Sequence, residues 1–235
     1  MKVAAIWRYP VKSMAGERLS SAVLTRTGFV GDRVVQVYDR HGRVVTARTF
    51  PRLLRLRATL GSDGEPLVEG LPWDSPDIAA RVEEAVAPGA RLARFDGPDR
   101  FDILPLLICT DGAVSLFGRD VRRLRPNILI EGVDGAGERQ WPGGTLRLPH
   151  AEIALADLRG RCVMTTYDPV SGDQDPGVLR DIVRRFGGRL CLNADVRSPG
   201  PVDEEDPVEF FLHASSGNQT EQPQRDRHGA MTIRR

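Results

Sequence analysis

The first half of the chain alternates short apolar segments with turn residues, a pattern typical of β-strands. β-Branched and aromatic residues occupy the centres of these segments, and glycines separate them. The residues Asp39-Arg40-His41-Gly42 indicate a hairpin. Between Arg52 and Leu60, leucine alternates with arginine, which predicts a strand with one face in water. The other strands predicted in this half are 3–8, 19–24, 33–38 and 44–47.

Two segments carry apolar residues at helical spacing. The first, 75–87, starts with Ser75 as an N-cap candidate and has a proline in its first turn. The second, 176–188, ends at two consecutive glycines. The apolar positions are Ile78, Val82 and Val86 in the first segment, and Val178, Ile182 and Phe186 in the second.

The composition shifts after Gly97-Pro98-Asp99, where we predict a domain boundary. Beyond it, segment 104–120 combines an apolar strand with a short helix opened by Thr110 or Asp111. Further strands are predicted within 125–132, 145–158 and 190–212. Short strands, frequent turns and few helices favour a mainly β protein with some α, built from β-barrels rather than a doubly wound sheet.

The predicted organisation has two joined parts and a tail. Residues 1–95 and 96–213 form the two parts around one shared cleft, because candidate ligand-binding residues come from both. From about residue 214 onwards the chain is polar and aperiodic, so 214–235 is predicted to be a disordered tail.

Composition and charge argue against several classes of protein. Of the 235 residues, 40% are hydrophobic and 28% charged, which is ordinary for a soluble globular protein. A net charge of +1 gives no global field that would attract nucleic acid or an anionic membrane. No apolar run approaches the roughly 18 residues of a membrane span, and the N-terminus lacks a signal-peptide core. We therefore expect a cytoplasmic protein with no nucleic-acid or membrane partner.

The three cysteines are scattered, which predicts free thiols in a reducing compartment and no zinc site. Cys109 and Cys191 lie among apolar residues and are expected in the core. Cys162 differs, because Arg159 and Arg161 precede it and would favour a thiolate. It is either a small buried hydrophobe or a reactive group. Without a nearby histidine, a soft metal is a better partner for it than a Cys-His pair would be.

Three other segments bring cations or an amide to turns. Lys12 and Ser13 offer an ammonium and a hydroxyl for binding a phosphate. Arg33 follows two glycines at the start of a strand and either binds a phosphate or pairs with a neighbouring aspartate. Arg125 and Asn127 precede an apolar strand and suit a ring with amide-like edges. Taken singly, each has a structural explanation, and so do the arginines that flank Pro51.

Taken together, these segments resemble the MOSC family, named after the C-terminal domain of molybdenum cofactor sulfurase. The resemblance is to the form with an N-terminal β-barrel extension, as in the amidoxime-reducing components. The motifs occur in the family's order over roughly residues 1–210: YPVKSMAG, GDR, VTARTFPR, RPNILIEG and RCVMTTYDPVSGD. The pairing of YPVKS with the late RC-x-x-TT-x-D-P motif is specific, since Lys12 and Cys162 are 150 positions apart (162 minus 12).

The resemblance implies a MOSC-type β-barrel domain joined to an N-terminal β-barrel extension. It also implies a molybdenum–molybdopterin cofactor, whose metal is bound by the pterin dithiolene and by one protein cysteine. On the matching positions, Cys162 would be both the metal ligand and the catalytic residue. The cofactor-binding residues would be Lys12, Ser13, Arg33, Thr110, Arg125, Asn127 and Arg161.

The implied activity is the reduction of N-hydroxylated or N-oxide small molecules. Electrons would come from a separate electron-transfer protein, because nothing resembling a ferredoxin or cytochrome domain is attached. Pyridoxal phosphate is not expected, because no aminotransferase-like domain is present. Two rival functions stay open: a sulfur carrier that uses a Cys162 persulfide in cofactor sulfuration, and a non-catalytic molybdopterin carrier.

Overall fold

The computed structural model describes residues 1–212, and the predicted tail, 214–235, lies outside the described residues. The described chain is mainly β with three α-helices, which confirms the predicted class. The strands are β1 (Lys2–Arg8), β2 (Glu17–Leu19), β3 (Ser21–Thr25), β4 (Gly28–Phe29), β5 (Val35–Tyr38), β6 (Val44–Val45), β7 (Ala58–Leu60), β8 (Pro66–Val68), β9 (Leu71–Pro72), β10 (Arg91–Arg94), β11 (Leu106–Thr110), β12 (Ile128–Glu131), β13 (Gly144–Arg147), β14 (Glu152–Gly160), β15 (Arg189–Ser198), β16 (Gly200–Asp203) and β17 (Glu209–Leu212). The α-helices are α1 (Pro76–Ala85), α2 (Asp111–Phe117) and α3 (Pro176–Phe186), and the 3-10 helices are Pro51–Arg55, Pro98–Arg100, Val121–Arg123, Gly137–Gln140 and Val163–Thr166.

The strand pairing crosses the predicted boundary at 95/96. One eight-stranded sheet has the order β17-β13-β14-β15-β11-β12-β1-β2, so two N-terminal strands extend a sheet of the second half. A second sheet, β16-β3-β4, likewise joins the two halves. Strands β1–β4 thus belong to sheets shared with the C-terminal half, while β5–β10 form sheets of their own.

Two large apolar clusters form the core, and the second contains the neighbours of Lys12 and Ser13. The first packs β1 residues such as Ile6 against the strands of the second half. The second contains Val11 and Met14, both fully buried, together with residues of β5 and α1. Full burial of such a side chain stabilises the fold by roughly 1.5–3 kcal/mol. Burial of Val11 and Met14 therefore anchors the Lys12-Ser13 turn to the second cluster.

The predicted helices form where the periodicity places them. In α1, Ile78 and Val82 are buried, and Ser75 is the N-cap residue. In α3, the three predicted apolar positions are buried, and the helix ends at Gly187 with a left-handed backbone. Thr110 caps α2. Among the described residues, no helix is both long and apolar enough to cross a lipid bilayer.

The predicted strand between Arg52 and Leu60 is wrong over its first half. Residues Pro51–Arg55 form a 3-10 helix, and only Ala58–Leu60 pairs as a strand. Pro51 presets a helical φ angle at the first turn. Leu53 and Leu56 are three residues apart, which suits one face of a 3-10 helix, and both pack against the second apolar cluster.

The prediction of free thiols is wrong for Cys109 and Cys191, which form a disulfide. Their strands, β11 and β15, pair antiparallel with Ile108 opposite Leu192, so the two cysteines face each other with their Cα atoms 4.6 Å apart. Both are fully buried, as predicted. Because the two residues are 82 positions apart, only the strand pairing reveals the bond. The cytoplasmic location loses the support of free thiols and stays a prediction.

Candidate functional site

Residues from both halves of the chain line a cavity of about 330 Å³, which we call the Cys162 cavity. Its lining is strongly cationic, with seven cationic side chains and, among the described residues, one carboxylate. Such a concentration of positive charge favours an anionic ligand. The cavity brings together seven of the eight predicted site residues: Lys12, Ser13, Arg33, Arg125, Asn127, Arg161 and Cys162.

Lys12 and Ser13 present their side chains differently. The Lys12 Nζ donates to the carbonyl oxygen of Arg100 at 2.9 Å and lies 3.1 Å from the Asp102 Oδ1. Ser13 is buried, and its hydroxyl makes no hydrogen bond within residues 1–212. The ammonium is therefore already positioned by the protein, whereas the hydroxyl is left available to a ligand.

Three predicted site residues adopt a left-handed backbone. The φ angles of Ser13, Arg33 and Arg125 are 73°, 57° and 54°, and they are half of the six non-glycine residues with positive φ in the described chain. Such backbone costs about 1–3 kcal/mol per residue and is concentrated at functional sites. The fold thus accepts strain at the positions that direct these side chains to the cavity.

Two of these arginines lie close to the ring of Tyr9. The guanidinium carbons of Arg33 and Arg125 are 5.0 and 4.2 Å from its ring centroid. Burial raises the pKa of Tyr9 to about 12, and its hydroxyl donates to the carbonyl oxygen of Pro126 at 3.0 Å. Burial lowers the pKa of Arg125 to about 10, so it stays charged at neutral pH. Within the described chain, its guanidinium has no hydrogen-bond acceptor.

Asp32 connects Arg33 to the strands behind it. It is fully buried, and its Oδ1 accepts from the Tyr9 backbone N–H at 2.7 Å. Its Oδ2 accepts from Arg33 Nη1 and, at 3.1 Å, from Asn127 Nδ2. The Asn127 Oδ1 accepts from the Leu107 N–H at 3.1 Å. Arg33 therefore pairs with Asp32, one of the two possibilities considered, and Asn127 holds Asp32 in place.

Cys162 follows β14 and is the N-cap residue of the 3-10 helix Val163–Thr166. The Thr165 hydroxyl donates to the Cys162 carbonyl at 2.9 Å, which fixes the backbone while the residue stays partly exposed. Arg161 donates through Nη2 to the Leu124 carbonyl at 2.7 Å, but its Nε is buried without a partner. Burial lowers the pKa of Arg161 to about 10.

Sequence reasoning missed the carboxylate of the Cys162 cavity. Asp102 accepts from Arg48 at 2.6 Å and from Arg159 at 3.3 Å, in addition to its ion pair with Lys12. Burial alone would raise the pKa of Asp102, but Lys12, Arg48 and Arg159 outweigh burial and hold it below its usual value. The pKa of Arg48 is raised although burial opposes this, because Asp102 and the Cys162 sulfur lie beside it.

A signal for Arg48 and Arg159 was present in the sequence, since one lies in the VTARTFPR motif and the other near Cys162. No local pattern marks Asp102. Arg123 also lines the cavity and carries a buried Nε without a partner. It was missed because its position depends on contacts with residues 165–168.

Thr110 is the one predicted site residue that does not line the cavity. Its Oγ1 accepts from the Ala113 N–H at 3.2 Å and lies 3.2 Å from the Glu138 Oε2. The hydroxyl is thus used to cap α2, which explains why Thr110 faces the protein interior. Within residues 1–212, no group of three or more His, Cys, Asp or Glu side chains could hold a metal ion.

Two family models match the chain. The MOSC N-terminal beta barrel domain matches residues 1–96, and the MOSC domain matches residues 115–209. The chain belongs to the MOSC family. The predicted fold, a MOSC β-barrel domain with an N-terminal β-barrel extension, is therefore confirmed.

Relatives and a solved structure agree with this assignment. This MOSC protein is 29% identical to mitochondrial amidoxime reducing component 2 of Homo sapiens, over 80% of this chain and 72% of that protein. It is 22% identical to the molybdenum cofactor sulfurase of Caenorhabditis briggsae, over 75% of this chain and 30% of that protein. The YUAD protein of Bacillus subtilis has the same fold, with a TM-score of 0.52, 14% identity, and coverage of 91% of this chain and 96% of that one.

Proposed function

We propose that this MOSC protein binds a molybdenum–molybdopterin cofactor and uses it to reduce N-hydroxylated or N-oxide small molecules. The observation that carries the proposal is the position of Cys162. It is the one free cysteine of the three, and it lies at a strongly cationic cavity. The names of several relatives support the reaction class, because amidoximes are N-hydroxylated compounds.

The donors of the Cys162 cavity fit such a cofactor. A cysteine thiolate is a soft ligand suited to a soft metal, and a phosphate and a pterin ring offer acceptors to cationic donors. Several donors at the cavity lack an acceptor within residues 1–212: the Ser13 hydroxyl, the Arg125 guanidinium, and the Nε atoms of Arg123 and Arg161. A ligand rich in acceptors would remove the cost of leaving these groups unsatisfied.

In this proposal, Cys162 binds the metal. When bound, the molybdenum cofactor supplies two-electron redox chemistry by oxygen-atom transfer. Asn127 would act through Asp32, which it holds against Arg33. Electrons would come from a separate electron-transfer protein. The cofactor's phosphate and polar ring edges would be bound by Lys12, Ser13, Arg33, Arg125 and Arg161.

The test uses protein produced in a host that makes molybdopterin, supplied with a chemical reductant. The molybdenum-loaded protein should convert benzamidoxime to benzamidine, a reaction that takes up two electrons and two protons and releases water. Cys162→Ala should abolish the conversion. Arg26→Gln, which replaces an exposed arginine outside the cavity, should keep it. Loaded protein that converts none of a broad panel of N-hydroxylated compounds would contradict the proposal.

A second candidate is sulfur transfer. Arg48 lies beside the Cys162 sulfur and would stabilise an anionic persulfide there, and one relative is named a molybdenum cofactor sulfurase. A Cys162 persulfide detected by mass spectrometry, in protein that reduces no N-hydroxylated compound, would favour this role. Protein with neither property that releases intact cofactor to an acceptor enzyme would favour a carrier.

A further inference from the structure

A second cavity, of about 570 Å³, shares Arg123, Arg125 and Met164 with the Cys162 cavity. We call it the Arg55 cavity. Its boundary includes the end of β1, segment 54–57 and the turn at 167–172, and its lining does not include Cys162. The proposed reductase chemistry therefore assigns it no role.

Positive charge dominates the Arg55 cavity. Six arginines and one carboxylate line it: Arg18, Arg55, Arg57, Arg122, Arg123, Arg125 and Asp168. Three of these arginines are neutralised by carboxylates. The distances are 3.0 Å from Arg18 to Glu204, 2.6 Å from Arg122 to Asp120, and 2.8 Å from Arg123 to Asp168.

The other three arginines, Arg55, Arg57 and Arg125, have no carboxylate partner in the described part of the chain. Asp168 does not compensate them, because it already accepts from Arg123 and from the backbone N–H groups of Val170 and Ser171. Arg125 also lines the Cys162 cavity, where we assign it to the cofactor, so the free cations that line only the Arg55 cavity are Arg55 and Arg57. The two repel one another, and an anion between them would relieve this repulsion.

Arg55 is an exposed residue, and the stem of its side chain lies against the turn at 167–172. Gly172 has a φ of 77°, and a Cβ atom added there would lie 3.1 Å from the Arg55 Cδ. The aliphatic stem therefore lies against the turn, whose shape is fixed by the bond from the Val170 N–H to Asp168 at 2.9 Å. A side chain restricted in this way loses less conformational entropy on binding a ligand.

Apolar groups complete the lining. Trp7, Leu54, Met164 and Tyr167 border the same cavity as Arg55 and Arg57. A lining that is partly apolar with a few convergent charges suits an organic ligand rather than an inorganic ion, and the volume is typical of small-molecule sites. We propose that the Arg55 cavity binds a small organic diphosphate, that is, two or three negative charges joined to a ring or another apolar group.

The experiment is isothermal titration of the full chain with ADP, pyrophosphate and adenosine, without added metal. The test variant is Arg55→Gln/Arg57→Gln, which changes residues that line only the Arg55 cavity. The matched control, Arg26→Gln/Arg81→Gln, removes two exposed charges away from both cavities. We expect ADP to bind wild type and control equally and the test variant at least tenfold more weakly. ADP should bind more tightly than pyrophosphate, and adenosine should not bind measurably.

The titration separates this site from the Cys162 cavity. If ADP bound in the Cys162 cavity instead, its affinity would be the same for wild type and for both double variants, whether or not the protein carries molybdenum. Equal affinities for ADP in all three proteins would overturn the proposal, as would an equal loss in test variant and control. Pyrophosphate that binds as tightly as ADP would overturn the assignment of an organic ligand. Thermal unfolding of each variant verifies that it is folded.

Discussion

Cys162 and the Cys109–Cys191 pair lie in two regions with opposite surroundings. Cys162 stands at the start of a 3-10 helix, partly exposed, beside a cavity lined by seven cationic side chains. The paired cysteines lie between β11 and β15, fully buried in an apolar cluster. The comparison shows that the surroundings of a cysteine depend on its neighbours in space. Strand pairing brings Cys109 to Cys191, whereas a turn leaves Cys162 free beside cationic side chains.

The sharpest test of this contrast is Cys162→Ser. We expect molybdenum content to fall at least tenfold from about one atom per chain, because a hydroxyl is a poor ligand for a soft metal. The free energy of unfolding of the metal-free protein should change by less than about 1 kcal/mol, since the residue is partly exposed. Metal analysis and urea unfolding measure the two effects. Retention of most of the metal would show that Cys162 is not the ligand.

The opposite result is expected for Cys109→Ala/Cys191→Ala. Loss of the disulfide should lower the free energy of unfolding by about 2–4 kcal/mol, because the unfolded chain regains freedom over a long loop. Molybdenum per folded chain should be unchanged.

Thiol titration of unfolded, unreduced wild type supplies an independent measurement of the same bond. One reactive thiol per chain is expected, since three cysteines are present and two are bonded. Three reactive thiols would remove the basis of the comparison.

Asp102→Asn tests the charge balance of the Cys162 region with a smaller effect. At about pH 6 we expect a loss of about 1–2 kcal/mol in the free energy of unfolding, because three cations lose a charged acceptor. The pKa of Asp102 is lowered in the folded protein. Its contribution is therefore present above the ordinary value of 3.8 and is lost as the pH falls through the folded value.

Urea unfolding at about pH 6 and pH 3 should thus give a smaller difference between wild type and Asp102→Asn at the lower pH. The control is Asp134→Asn, which changes an exposed carboxylate away from the cavity. A difference that does not depend on pH would mean that the folded protein does not hold the pKa of Asp102 down.

The sequence revealed those features that depend on neighbours along the chain. Helical periodicity predicted α1 and α3, and short motifs predicted seven of the residues that line the Cys162 cavity. What it could not reveal depends on contacts between distant segments. The disulfide needs the pairing of β11 with β15, and the role of Asp102 needs cations from three separate segments. Thr110 was assigned to the cofactor by the resemblance to the family, whereas its hydroxyl is used to cap α2.

The smallest predicted effect concerns the strained backbone of the Cys162 cavity. Ser13→Gly should raise the free energy of unfolding by about 0.5 kcal/mol. Relief of a left-handed backbone, worth about 1–2 kcal/mol, exceeds the added freedom of the unfolded chain, about 0.4–1 kcal/mol. The same variant should retain less molybdenum after extended dialysis, because the free Ser13 hydroxyl is lost. Ser21→Gly, on the ordinary extended backbone of β3, has no strain to relieve and should destabilise by about 0.5–1 kcal/mol. If the two substitutions destabilise the protein equally, the left-handed backbone at Ser13 stores no strain that glycine relieves.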